Sequence, residues 1–127
     1  MKALKAFIYR LLDATTSHAG IKRMICGESL RFPVRWSRYY ESDYEPETFQ
    51  FFRKNLKPGD TVLDIGAHIG LFSVLTSRLV GDGGKVYAFE PTPFTRGVLQ
   101  EVIRLNGCDG NVEVLPEAVA DKAGTTY

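Results

Sequence analysis

Asp64 and Glu90 each close an apolar run, and glycines follow the first at once. The stretch Val62-Leu63-Asp64-Ile65-Gly66-Ala67-His68-Ile69-Gly70 is followed, twenty residues after its last glycine, by Phe89-Glu90-Pro91. Glycines in such a turn let backbone approach a ligand closely, and a carboxylate ending a second strand can accept hydrogen bonds from both hydroxyls of a ribose. Together they predict a site for a nucleoside cofactor. The elements needed to hold them are legible nearby. Thr61 to Ile65 and Val86 to Phe89 read as strands, and Leu71, Phe72, Leu75 and Leu79 fall at helical spacing between them, so strand, glycine turn, helix and strand form one βαβ unit.

Glycine spacing bears on which cofactor is bound. A dinucleotide fingerprint, Gly-x-Gly-x-x-Gly, needs its second glycine so that a pyrophosphate can lie against bare backbone. Here His68 stands at that place. S-adenosyl-L-methionine carries no phosphate, yet its ribose still needs an acid such as Glu90, and its amino-acid end can be met by Asp64 and the turn after it. The departure therefore favours S-adenosyl-L-methionine. A nicotinamide-dependent oxidoreductase fragment and a non-catalytic binding module built on the nucleotide fold are the alternatives.

From Tyr44 to Tyr127 the chain resembles the FkbM family of S-adenosylmethionine-dependent methyltransferases. The resemblance is carried by Tyr44-Glu45-Pro46-Glu47-Thr48, Lys57 through Gly70, Val86 through Pro93, Leu105-Asn106-Gly107 and Ala118 through Gly124. It implies an α/β, Rossmann-like class I methyltransferase fold and transfer of a methyl group to an oxygen of a sugar, polyketide or similar small-molecule acceptor. The cofactor-binding residues expected are Asp64 for the methionine ammonium, the backbone of Gly66, Ala67, His68 and Gly70 around the methionine portion, and Glu90 with Pro91 at the ribose. Glu117 and Ala118 are expected near the adenine. His68 reads more simply as a cap or solvent-facing group than as a catalytic base, and no catalytic residue is assigned.

Composition is that of an ordinary globular protein, 44% hydrophobic and 24% charged with a net charge of +1. Residues 1 to 60 hold eleven Lys or Arg against seven acids and residues 61 to 127 hold five against eight, a mild split that gives no reason to expect a nucleic-acid partner. Cys26 and Cys108 have neither metal nor disulfide spacing and are expected to be reduced thiols. No metal site is expected. The apolar run Ala6 to Tyr9 is too short for a signal core or a membrane span, which makes a cytoplasmic location the expectation.

Residues 1–43 read as an N-terminal extension of helix and edge strand, and 44–127 as the first part of the cofactor-binding domain. Leu4, Phe7, Ile8, Leu11 and Leu12 predict an amphipathic basic helix. Its apolar stripe is expected to pack on the rest of the chain, with peripheral membrane contact through residues 2–12 as the weaker alternative. Asp13 to Gly20 reads as a loop and Leu30 to Trp36 as a short edge strand interrupted by Pro33. Pro46 to Leu56 reads as a helix, with Pro46 at its first turn, and Tyr39, Tyr40 and Tyr44 before it either line the cleft or pack under a loop. A further helix carries Val98 to Leu105, and a third strand runs from Asn111 to Leu115, with a turn at Lys122-Ala123-Gly124 launching another. Three strands are few for an open sheet of around six. The chain therefore reads as the N-terminal half of an enzyme, inactive alone, with an exposed strand edge at Thr61 to Ile65 and the catalytic base expected beyond Tyr127.

Overall fold

A computed structural model describes residues 1–15 and 18–125. In chain order its elements are helix α1 (Lys2–Thr15), strands β1 (Ile21–Ile25) and β2 (Glu28–Phe32), a 3-10 turn (Val34–Trp36), helix α2 (Pro46–Asn55), strand β3 (Thr61–Ile65), helix α3 (Leu71–Val80), strand β4 (Lys85–Phe89), helix α4 (Pro93–Leu105) and strand β5 (Val112–Leu115). Strands β3, β4 and β5 form a parallel sheet in that spatial order, with Asp64 beside Ala88 and Ile65 beside Phe89. This is the βαβαβ arrangement the sequence predicts. The expected bounds of these three strands are met within a residue, and β3 is indeed an edge.

Alternation along the strands divides the sheet into two unlike faces. Val86, Ala88 and Val112 pack against Leu71, Val74 and Leu75 of α3 and Val98, Leu99 and Val102 of α4, all buried. On the other face Leu63 and Ile65 are 60% and 59% exposed. Parallel strands are ordinarily covered on both sides; among the described residues, only one side of this sheet is.

Strands β1 and β2 make an antiparallel hairpin, Ile21 opposite Phe32 and Ile25 opposite Glu28. Its two-residue turn, Cys26-Gly27, has φ of 47° and 81°, the positive pair that suits the twist of a tight hairpin. Periodicity did not expose β1, because Lys22, Arg23 and Met24 interrupt its apolar pattern. Ile25, Leu30 and Phe32 join the same core as the sheet, and the side chain of Asn106, at the end of α4, both donates to Arg31 O and accepts from Arg31 N–H at 2.8 Å. An amide side chain here stands in for a missing strand partner.

Three expectations fail in the N-terminal segment, and one at the other end finds no support. The edge strand expected over Leu30 to Trp36 is Glu28–Phe32 instead, ended by Pro33, which cannot donate to a ladder, and Val34–Trp36 is the 3-10 turn. Helix α1 continues through Asp13 and Ala14 to Thr15, whose hydroxyl donates to Leu12 O at 2.9 Å, so the loop begins later than the residue types suggested. The apolar stripe of α1 does not pack on the rest of the chain: the helix has no buried residue. Residues 116–125 contain no strand, and the strand expected after Gly124 would fall largely on residues 126–127, outside the described residues.

Candidate functional site

The turn after β3 is shaped by backbone contacts with β4. Gly66 and Ala67 both donate N–H to Phe89 O, at 3.0 and 2.9 Å, and Gly70 donates to Ala67 O at 3.0 Å. Gly66 has φ of 73°, and a Cβ added there would meet nothing within 4 Å. That empty space is the approach a ligand needs. Gly70 differs: its φ is 100° and a Cβ would lie 2.7 Å from Leu99 Cδ1, so this glycine serves the close packing of the turn on α4. His68, at φ 53°, takes the left-handed conformation without being glycine, which histidine tolerates better than most residues.

Glu90 ties the two loops together. Its residue is 6% exposed, and its Oε2 accepts the His68 N–H at 3.0 Å while Oε1 accepts the Thr92 N–H at 2.9 Å. Glu90 N–H donates to Leu115 O at 3.0 Å, and the Arg96 guanidinium donates to the carbonyls of Glu90 and Pro91 at 3.0 Å each. Four lone-pair positions on the carboxylate leave two for a ligand. The sequence suggests a ribose ligand; it gives no hint that the same carboxylate would fasten the glycine turn.

Asp64, on the buried face of β3, accepts the Ser73 hydroxyl of α3 at 2.5 Å. Burial pushes its carboxyl above the ordinary value of 3.8, and the Ser73 hydrogen bond opposes that shift. An acid kept there at a desolvation cost, with one partner, retains acceptor capacity toward a cation.

A pocket of about 200 Å³ opens beside these groups, walled by Asp64, Gly66, Ala67 and His68 on one side and Tyr39, Tyr40 and Tyr44 on the other, with Leu71 and Phe72 at its floor. The tyrosines therefore line the cleft. Tyr39 lies 5.2 Å from the His68 ring and 4.9 Å from Tyr40, which is 4.8 Å from Tyr44. Burial drives the Tyr40 phenol well above its usual range, so it stays a neutral donor. Cys26 anchors the segment bearing these rings: its N–H donates to Ser42 O at 2.8 Å and its thiol meets Tyr44 O at 3.3 Å.

Asp64, Gly66, Ala67 and His68 are thus brought to one pocket, while Glu90 does not line it and is joined to it through the His68 N–H. Pro91 is exposed beside Glu90, and Gly70 is buried under the turn. Glu117 and Ala118 are exposed, two and three residues past β5, and do not wall the pocket. Ser73 and Phe72 were missed, since a serine and a phenylalanine in an apolar helix carry no signal of their own; only the register of α3 on β3 reveals them. Among the described residues no group of three His, Cys, Asp or Glu could hold a metal, and no helix is long and apolar enough to cross a membrane.

The family model described as "Methyltransferase FkbM domain" matches residues 64–127. Over 69 residues the chain is 41% identical to "31-O-demethyl-FK506 methyltransferase FkbM" of Streptomyces tacrolimicus, covering 54% of this chain and 25% of that protein. Over 59 residues it is 42% identical to a protein-L-isoaspartate O-methyltransferase of Aeropyrum pernix, covering 46% of this chain and 23% of the other. The chain thus spans about a quarter of the length of the curated relatives it matches. Among solved structures, a SAM-dependent O-methyltransferase from Thermotoga maritima superposes with a TM-score of 0.56 at 18% identity, over 77% of this chain and 40% of that one, a likeness of fold. With the matched region beginning at Asp64 and containing the turn, Glu90 and all of β4, α4 and β5, this chain belongs to the FkbM methyltransferase family.

Proposed function

We propose that the chain forms the cofactor-binding part of an S-adenosyl-L-methionine-dependent O-methyltransferase. When bound, this cofactor supplies a methyl group on a sulfonium, ready for in-line displacement by an acceptor oxygen. Asp64 and the Gly66 to Gly70 backbone hold the methionine end. Glu90, with Pro91 beside it, takes the ribose hydroxyls through its two remaining lone-pair positions, and Glu117 and Ala118, leaving the sheet at the same rim, border the adenine. Residues 44–127 carry this site and residues 1–43 extend it, Tyr39 and Tyr40 closing the pocket opposite Asp64.

The observation that carries the reading is the open space over Gly66, flanked by a half-buried Asp64 with one hydrogen-bond partner and by the His68 amide that Glu90 holds. Nothing in this pocket resembles a phosphate cradle, because His68 occupies the second glycine position. An oxygen acceptor is supported by the names of two relatives, one an "O-demethyl" substrate methyltransferase and the other an O-methyltransferase; a sugar or similar metabolite hydroxyl is the class we assign. Chemistry of this kind needs chiefly alignment. Because the chain spans about a quarter of its curated relatives, we assign it weak cofactor binding and no turnover by itself.

Calorimetric titration tests this. S-adenosylhomocysteine is expected to bind and NADH not to; the reverse result refutes the assignment. Glu90→Gln keeps the shape and an acceptor oxygen and is expected to weaken S-adenosylhomocysteine binding about tenfold or more, since hydrogen bonds to a charged group contribute roughly 1.5–3 kcal/mol each. Glu90→Gln leaves one of the His68 and Thr92 N–H groups without an acceptor and Glu90→Ala leaves both, so the urea midpoint is expected to fall in both variants and further in Glu90→Ala.

A further inference from the structure

Helix α1 is amphipathic, yet it turns its polar side toward the rest of the chain. Lys2, Lys5, Ala6, Tyr9, Arg10 and Asp13, spaced along one face, border a cavity of about 520 Å³ that Trp36 and Phe94 also line. At 100° per residue, Leu4, Phe7, Ile8 and Leu11 fall on the opposite face. They are 62%, 62%, 44% and 55% exposed, and Leu12 at their margin is 44% exposed. Isolated exposed leucines need no explanation, but a continuous stripe of five on one helix does.

We propose that this stripe lies on an anionic lipid surface, with α1 in the plane of the headgroups. Charge selects this occupant. The first twelve residues contain Lys2, Lys5 and Arg10 and no carboxylate, and at 100° per residue Lys5 and Arg10, although both border the cavity, fall at the two margins between that face and the stripe, from which long side chains reach headgroups while their stems cover apolar surface. Asp13, the one acid of the helix, faces His18 Nδ1 at 3.4 Å on the other side. Pairing with a second copy through the same stripe would bring two sets of cations together without a carboxylate between them. At 14 residues α1 is about 21 Å long at 1.5 Å per residue, too short to cross a hydrocarbon core of about 30 Å and long enough to lie along its surface.

Co-sedimentation of the 127-residue chain with vesicles tests the proposal, one set of phosphatidylcholine alone and one of equal parts phosphatidylcholine and phosphatidylglycerol. The chain is expected to sediment with the anionic set and to be released by salt. Phe7→Ser with Leu11→Ser is expected to lower the partition coefficient about a hundredfold. Lys5→Gln with Arg10→Gln is expected to lower it about twentyfold on anionic vesicles, at roughly fivefold per cation. Both variants alter residues that α1 leaves unburied, so the far-UV circular dichroism of the parent is expected to persist. Failure of the parent chain to bind anionic vesicles overturns the proposal, as does binding that neither variant weakens. A lipid-free dimer that Phe7→Ser with Leu11→Ser returns to monomer also overturns it, by giving the stripe to a second copy.

Discussion

Asp64 shows how a carboxylate placed beside a pocket weighs on the fold that carries it. Its folded carboxyl is raised above 3.8 by burial, against the pull of Ser73. A raised acid of this kind favours the folded state most when it is protonated, so its contribution is fully present below about pH 3.8 and is lost as pH rises through the folded value. Asp64→Asn keeps an acceptor for the Ser73 hydroxyl and removes the charge. It is expected to raise the thermal midpoint at pH 7, with the gain over the parent shrinking as pH falls toward 3.8, while S-adenosylhomocysteine affinity drops at least about tenfold, the scale of one charge-assisted contact. A midpoint unchanged across that range would show that the desolvation is relieved in some other way.

The turn between β3 and α3 contains glycines with different duties. Gly66→Ala places a methyl group in open space at φ 73°, so its folding cost is the left-handed backbone alone, about 1 kcal/mol, and its main effect is expected on ligand affinity. Gly70→Ala at φ 100° drives a Cβ to within 2.7 Å of Leu99 Cδ1. Backbone strain and overpacking there sum to about 3 kcal/mol or more, expected to appear as a loss of urea midpoint. Chemical denaturation and calorimetry on the two variants separate the roles. The β3-turn-α3 unit was legible because apolar periodicity changes from two to about four across a glycine pair. Strand β1 was not, because a hairpin that borrows Asn106 for its outer hydrogen bonds needs no strong strand pattern of its own.

For the molecule as a whole, the uncovered sheet face governs behaviour in solution. Leu63 and Ile65 sit on the edge strand with more than half their surface exposed, and an apolar edge is a template for pairing. The chain is expected to self-associate at micromolar concentration in light scattering, and Leu63→Lys with Ile65→Lys is expected to return it to monomer with its circular dichroism unchanged. A parent chain that remains monomeric would mean that the edge is protected in a way its exposure does not reveal.

Local pattern sufficed for β3, α3, β4, α4 and β5, for the parallel βαβαβ order, and for the placing of Asp64, the Gly66 turn and Glu90 at the ends of adjacent strands, because each depends on short-range periodicity and on residue types that only a few conformations accept. Contacts between residues far apart in the chain required tertiary structure. Folding alone set the Ser73 partner of Asp64, the grip of Glu90 on the His68 and Thr92 amides, the placing of Tyr39, Tyr40 and Tyr44 across the pocket, and the outward rotation of the α1 stripe. Amphipathicity shows that a helix has an apolar side; only packing against the rest of the chain determines which way that side faces.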